Sequence, residues 1–126
     1  MSGKNRNRWI NLADAEAAAL LEALPVSLRD RLSTVSITFS GRPSGSEIIE
    51  EGDEEELLGL FIGSPIGEAD ADSELSPEIR LYVENIRDEV DGDEIAFRQE
   101  VRTTLLHEIG HYLGLDEDGL DLRGLS

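Results

Sequence analysis

Apolar residues that recur at every fourth position predict one long helix in the last third of the chain. The four residues of this row are Phe97, Val101, Leu105 and Ile109. A row at this spacing is typical of the buried face of a helix. Asp91 and Asp93 are candidate N-caps, and Gly114 stands where a helix-ending glycine belongs. The pattern predicts a helix from position 93 or 94 to 113, and the other elements must cover its apolar row.

The same helix carries His107-Glu108-Ile109-Gly110-His111, the pattern H-E-x-x-H, in its last turns. Histidines four positions apart lie one turn above the other, so both imidazoles can reach one ion. Two nitrogens bound to one zinc ion lie about 3.3 Å apart. Glu108 lies beside them, within reach of a water whose pKa zinc lowers from about 15.7 toward 7. The motif therefore predicts zinc ligands at His107 and His111 and a general base at Glu108.

A hydrolytic zinc site uses a third protein ligand and leaves the fourth position open. The longer pattern H-E-x-x-H-x-x-G-x-x-E puts Glu117 at the third-ligand position, because Gly114 lets the chain leave the helix and turn back. Asp116, one residue out of register, is the alternative ligand, and a solvated acidic turn without a ligand is another. The two histidines are the only ones in the chain, and a helix surface without a metal stays open as their alternative role.

Composition limits the other functions of this chain. Its 126 residues suffice for one domain, and the absence of cysteine excludes disulfides, thiolate metal sites and cysteine nucleophiles. A net charge of -17 disfavours nucleic-acid binding. No apolar stretch approaches the roughly 20 residues of a membrane span, and no usual export signal stands at the N-terminus. We expect one cytoplasmic, monomeric domain over residues 1–126 without nucleic-acid or membrane partners.

Two further helical segments are predicted in the first quarter of the chain. A helix over 11–24 is rich in alanine and leucine and ends at Pro25, and a helical turn follows over 27–32. The basic residues of segment 1–10 indicate a flexible arm before the helix. The predicted core-facing residues of the helix are Leu12, Ala15, Ala19, Leu20, Ala23 and Leu24.

Short apolar or alternating runs predict three strands. They lie at 35–39, 57–62 and 79–83. Gly59 stands inside the second run, where a glycine often marks a bulge or the close approach of another backbone. The acidic segment 47–56 and the segment 64–77, rich in Gly, Pro, Asp and Ser, are predicted to be loops or turns.

Three segments together resemble the small bacterial zincin-like metallopeptidase family. They are 57–63 (LLGLFIG), 79–82 (IRLY) and 101–116 (VRTTLLHEIGHYLGLD), and the resemblance extends over about residues 12–125. It implies an α+β minimal zincin fold, in which a small mixed sheet of about three to four strands packs on a backing helix and an active-site helix. It also implies His107, His111 and Glu117 as zinc ligands and Glu108 as general base. Some members carry Asp at the third-ligand position, where this chain has Glu117.

These features lead to a zinc metallopeptidase as the functional hypothesis, with one zinc ion per chain and a metal-activated water that hydrolyses peptide bonds. The substrate is a peptide or protein of unknown identity. Zincins usually bind it as an added strand at a sheet edge, and 57–62 and 79–83 are both candidates for that edge. Three residues are candidates for stabilising the oxyanion, with packing or a surface position as the alternative: Tyr82, Tyr112 and Arg123.

Two other functions compete with this hypothesis. The first is a zinc-stabilised module that binds peptides or proteins without cleaving them, against which the intact Glu108 argues. The second is a metal-dependent nuclease similar to the bacterial rRNA-maturation metalloproteins. The motif of those proteins resembles H-x-x-x-H-x-x-x-x-x-H and contains three histidines. This chain has two histidines, and its negative charge opposes RNA binding.

Overall fold

The computed structural model describes residues 3–43, 57–63 and 77–114, which form an α+β fold as predicted. Four helices and three strands occur in the order α1 (Gly3–Ala23), α2 (Val26–Arg31), β1 (Ser36–Ser40), β2 (Gly59–Ile62), β3 (Glu78–Tyr82), α3 (Val83–Glu89) and α4 (Glu94–Leu113). The predicted segment 47–56 and nearly all of 64–77 lie outside the described residues. No helix within the described ranges is both long and apolar enough to cross a membrane.

The three strands form one mixed sheet in the order β1-β3-β2. β1 runs parallel to β3 and β2 runs antiparallel to it, so β3 is the central strand. Ile79 and Leu81 of β3 are fully buried. The sheet is mixed and has three strands in the described part of the chain, within the predicted three to four.

Helix α4 confirms the prediction made from its apolar row, because Phe97, Val101, Leu105 and Ile109 are all fully buried. Asp93 caps the helix, and its side chain accepts a hydrogen bond from the backbone N–H of Ala96 at 2.9 Å. Gly114 ends it in the left-handed conformation, with φ of 72°. The helix therefore has a defined start at Asp93 and a defined end at Gly114.

Helix α1 differs from its prediction at the start and in the face that it buries. It begins at Gly3, so the segment expected as an arm over 1–10 is helical from that residue onward. Trp9, inside that segment, is 5% exposed and stacks edge-on against Phe97 with ring centroids 4.6 Å apart. The residues that α1 buries are Trp9, Ala13, Ala17 and Leu20, followed by Leu24 just after its end.

Helix α3, which sequence reasoning missed, follows β3 without a connecting loop. Its buried Asn85 donates a hydrogen bond to the carbonyl of Leu57 at 2.8 Å and accepts one from Arg42 at 2.9 Å. Tyr82 also donates its backbone N–H to the carbonyl of Leu58 at 2.9 Å. These bonds hold the chain in position just before it enters β2.

Candidate metal centre

His107 and His111 lie on consecutive turns near the C-terminal end of α4. Their ring centroids are 4.4 Å apart and their planes are inclined by 66°. Both residues are exposed, and the side chain of His111 retains 51% of its accessible surface. The helix therefore presents two neighbouring imidazoles to the solvent, as the four-residue spacing predicts.

Glu108 stands between the two histidines in sequence but is buried, with 6% of its surface exposed. Its Oε2 lies 3.3 Å from Nδ1 of His111. One ligand atom from each of the three residues can be chosen so that all lie within 4.8 Å of one another. This is the one group of three metal-ligating side chains found in the described ranges of the chain.

The donor atoms of this group suit a zinc ion. Imidazole nitrogen and carboxylate oxygen are among the ligands that zinc prefers, and two zinc-bound nitrogens lie about 3.3 Å apart. The donors already lie within 4.8 Å of one another, and rotation of two exposed rings can shorten that distance. The predicted third ligand Glu117 and its alternative Asp116 lie outside the described residues.

Strand β2 packs along the side of α4 that carries Glu108. Gly59 approaches Thr104 so closely that an added Cβ would lie 2.8 Å from the Cγ2 atom of that residue. Phe61 contacts Tyr112, with ring centroids 5.6 Å apart. Because Thr104, Glu108 and Tyr112 are spaced four residues apart, they form one row on the helix. Glu108 therefore belongs to the row that faces β2.

The outer edge of β2 carries backbone groups of Gly59 and Phe61. In an antiparallel pair, hydrogen-bonded and non-hydrogen-bonded residue pairs alternate. Tyr82 donates to Leu58, so these two residues form a hydrogen-bonded pair. The next pair along the strands, Gly59 with Leu81, is therefore non-hydrogen-bonded. Because the two types alternate, the pair of Phe61 with Ile79 is also non-hydrogen-bonded. The N–H and C=O groups of Gly59 and Phe61 therefore point away from β3. No other strand of the described chain pairs with this edge.

The structure describes two of the three residues considered for oxyanion stabilisation. Tyr82 is fully buried in the central strand, and Tyr112 is 5% exposed and packs on Phe61, so both occupy packing positions. Arg123 lies outside the described residues. Sequence reasoning missed the contact of Thr104 with β2. A glycine inside a strand suggested a bulge or the close approach of another backbone, whereas the atom nearest to a Cβ added at Gly59 belongs to the side chain of Thr104.

The family described as zincin-like metallopeptidase matches residues 32–125, a range that includes all three strands and α4 with its histidines and Glu108. No curated protein matches the chain.

Proposed function

The chain belongs to the zincin-like metallopeptidase family, and we propose that it is a zinc-dependent peptidase that cleaves extended peptide segments. One observation carries the proposal. A buried carboxylate, that of Glu108, lies within 4.8 Å of two exposed imidazoles on the same helix. Exposed histidines suit a catalytic site, because such a site keeps a position open whereas a structural zinc site is closed by four protein ligands.

The residues of this group would have different roles in the reaction. His107 and His111 would hold the zinc ion, with Glu117 as the third ligand. When bound, zinc supplies Lewis acidity toward a water molecule and a peptide carbonyl. Glu108 accepts the proton of the attacking water on its carboxylate and then donates it to the nitrogen of the leaving amine. Its burial keeps the carboxylate in one position beside the histidines.

The edge of β2 would bind the substrate. Of the two segments considered for this role, 79–83 falls largely in the central strand, which has neighbours on both sides, whereas β2 has an outer edge. An extended peptide can add to that edge through the outward N–H and C=O groups of Gly59 and Phe61. Because β2 lies along the Glu108 row of α4, a peptide bound there passes close to the carboxylate.

The experiment compares the wild type with Glu108→Gln and with a matched control, Glu94→Gln, using fluorescently labelled casein as an unfolded substrate. Glu94 is on the same helix, about 21 Å away along its axis, and its ion pairs with Arg8 and Arg98 are exposed. We expect zinc-dependent cleavage by the wild type and by Glu94→Gln, abolished by a chelator.

Glu108→Gln is expected to keep its zinc and to lose activity by about 100-fold or more, because general-base catalysis contributes roughly 10²–10⁴-fold. Activity of Glu108→Gln within a few-fold of the wild type would contradict the role of Glu108. A wild type that holds zinc and binds unfolded chains without cleaving them would favour the binding module instead.

A further inference from the structure

We propose that Gly59 and Thr104 are a pair of positioning residues, which together set the separation between β2 and α4 and thereby the place of a bound peptide relative to Glu108. The inference rests on the proposed function, since it concerns how that substrate is held. Neither residue carries chemistry of its own. Their effect is on the geometry between the strand that would bind the substrate and the helix that carries the carboxylate.

Strand β2 approaches α4 closely at Gly59. A Cβ at this position would lie 2.8 Å from Cγ2 of Thr104 and 3.3 Å from Cδ2 of Leu81. The first distance is shorter than real Cβ contacts, and the second requires only a small movement at the end of a flexible side chain. Glycine is therefore required here by the space available between strand and helix.

The side chain of Thr104 resists rotation. It is 7% exposed, and its hydroxyl donates a hydrogen bond to Oε1 of Glu100 at 3.3 Å. A β-branched side chain has few χ1 rotamers in a helix, and the hydrogen bond favours the one observed. A side chain added at Gly59 would therefore displace β2 outward more readily than it would rotate Thr104.

The separation between β2 and α4 also affects the candidate site. Thr104 precedes Glu108 by four residues, about 6 Å along the helix axis, on the row that faces β2. Gly59 also presents its own N–H and C=O to the outer edge of the strand. A shift of Gly59 moves those groups relative to Glu108, while His107 and His111 keep their positions because both are on α4. The rate at which bound substrate is cleaved should change, and zinc binding should not.

The test uses four proteins: wild type, Gly59→Ala, Thr104→Ser and the double variant. Serine removes the Cγ2 atom that an alanine at position 59 would contact and keeps the hydroxyl that bonds to Glu100. Zinc content, KM and kcat on casein are measured well below the melting temperature of each protein. Hydrogen exchange of the Leu60 amide, which lies in a pair bonded to β3, reports the strand without any substrate.

We expect Gly59→Ala to keep its zinc, to exchange the Leu60 amide faster and to lose at least about tenfold in kcat/KM, mainly through kcat, because misplacement of a bound substrate by about 1 Å can cost 100-fold. The double variant should recover both exchange and kcat, with Thr104→Ser alone as its reference. If Gly59→Ala does not fold, a folded double variant with wild-type kcat supports the pair, and an unfolded one contradicts it.

Failure of this inference differs from failure of the proposed function. An active wild type whose Gly59→Ala variant melts earlier but has an unchanged kcat overturns the positioning role alone. Failure of Thr104→Ser to restore kcat in the double variant also overturns the pair. A wild type that does not cleave casein with zinc bound rejects the peptidase, and this inference with it.

Discussion

The side-chain amide of Asn85 donates a hydrogen bond to the carbonyl of Leu57 at 2.8 Å, joining α3 to the residue two positions before β2. Asn85 is 1% exposed and also accepts a hydrogen bond from Arg42 at 2.9 Å. One buried amide thus connects three segments that are distant in sequence. The position at which β2 begins depends on this residue as well as on the contact between Gly59 and Thr104.

Replacement of Asn85 by alanine is expected to destabilise the fold. It removes a hydrogen-bond partner from the carbonyl of Leu57 and from Arg42 at a part-buried position, which lowers the free energy of unfolding by about 1–3 kcal/mol. The control is Asp88→Asn, which weakens the ion pair of Asp88 with Arg42; both side chains are more than 40% exposed, so the expected loss is at most about 1 kcal/mol. Urea denaturation measures both variants. Equal losses would show that the amide has no special role.

The cap at the start of α4 predicts a second difference in stability. Asp93→Ala removes the acceptor of the Ala96 N–H and should lower the free energy of unfolding by about 1 kcal/mol. Asp93→Asn keeps a side-chain oxygen in the same place and should retain most of the stability. Thermal unfolding of the two variants side by side tests this, and indistinguishable melting temperatures would contradict the capping role.

The proposed third zinc ligand is tested by comparing two neighbouring acidic residues, both of which lie outside the described residues. Glu117→Ala is expected to weaken zinc binding by about 100-fold or more, since loss of even an outer-shell partner costs roughly 10–100-fold. Asp116→Ala should have little effect, and it has the same change in charge. Competition with a zinc-binding chromophore gives both affinities. The reverse order would assign the ligand to Asp116.

Sequence patterns predicted α4 and the proximity of His107 and His111 because each carries its own local signal. A row of large apolar residues fixes which face of the helix is buried, and a cap at each end fixes its limits. The two histidines follow from the same periodicity, since residues four apart share a face. Gly59 predicted either a bulge or the close approach of another backbone, and only the structure identified the side chain of Thr104 as its neighbour.

Other parts of the fold lack such local signals. In α1, alanines occupy nearly every position from 13 to 19, so the pattern does not define a face, and the buried residues proved to be Ala13 and Ala17 rather than Ala15 and Ala19. Trp9 would have indicated which face of α1 is buried, but it stands among basic residues that suggested a flexible arm. The strand order depends on contacts between distant segments, which local periodicity does not report.

The most direct test of the account is the zinc content of the purified protein. The wild type, His107→Ala, His111→Ala and the control Glu94→Gln are each loaded with zinc, dialysed and analysed by elemental mass spectrometry. The account predicts about one zinc per chain in the wild type and in Glu94→Gln, and little or none in either histidine variant. Zinc retained at wild-type levels after loss of either histidine would contradict it.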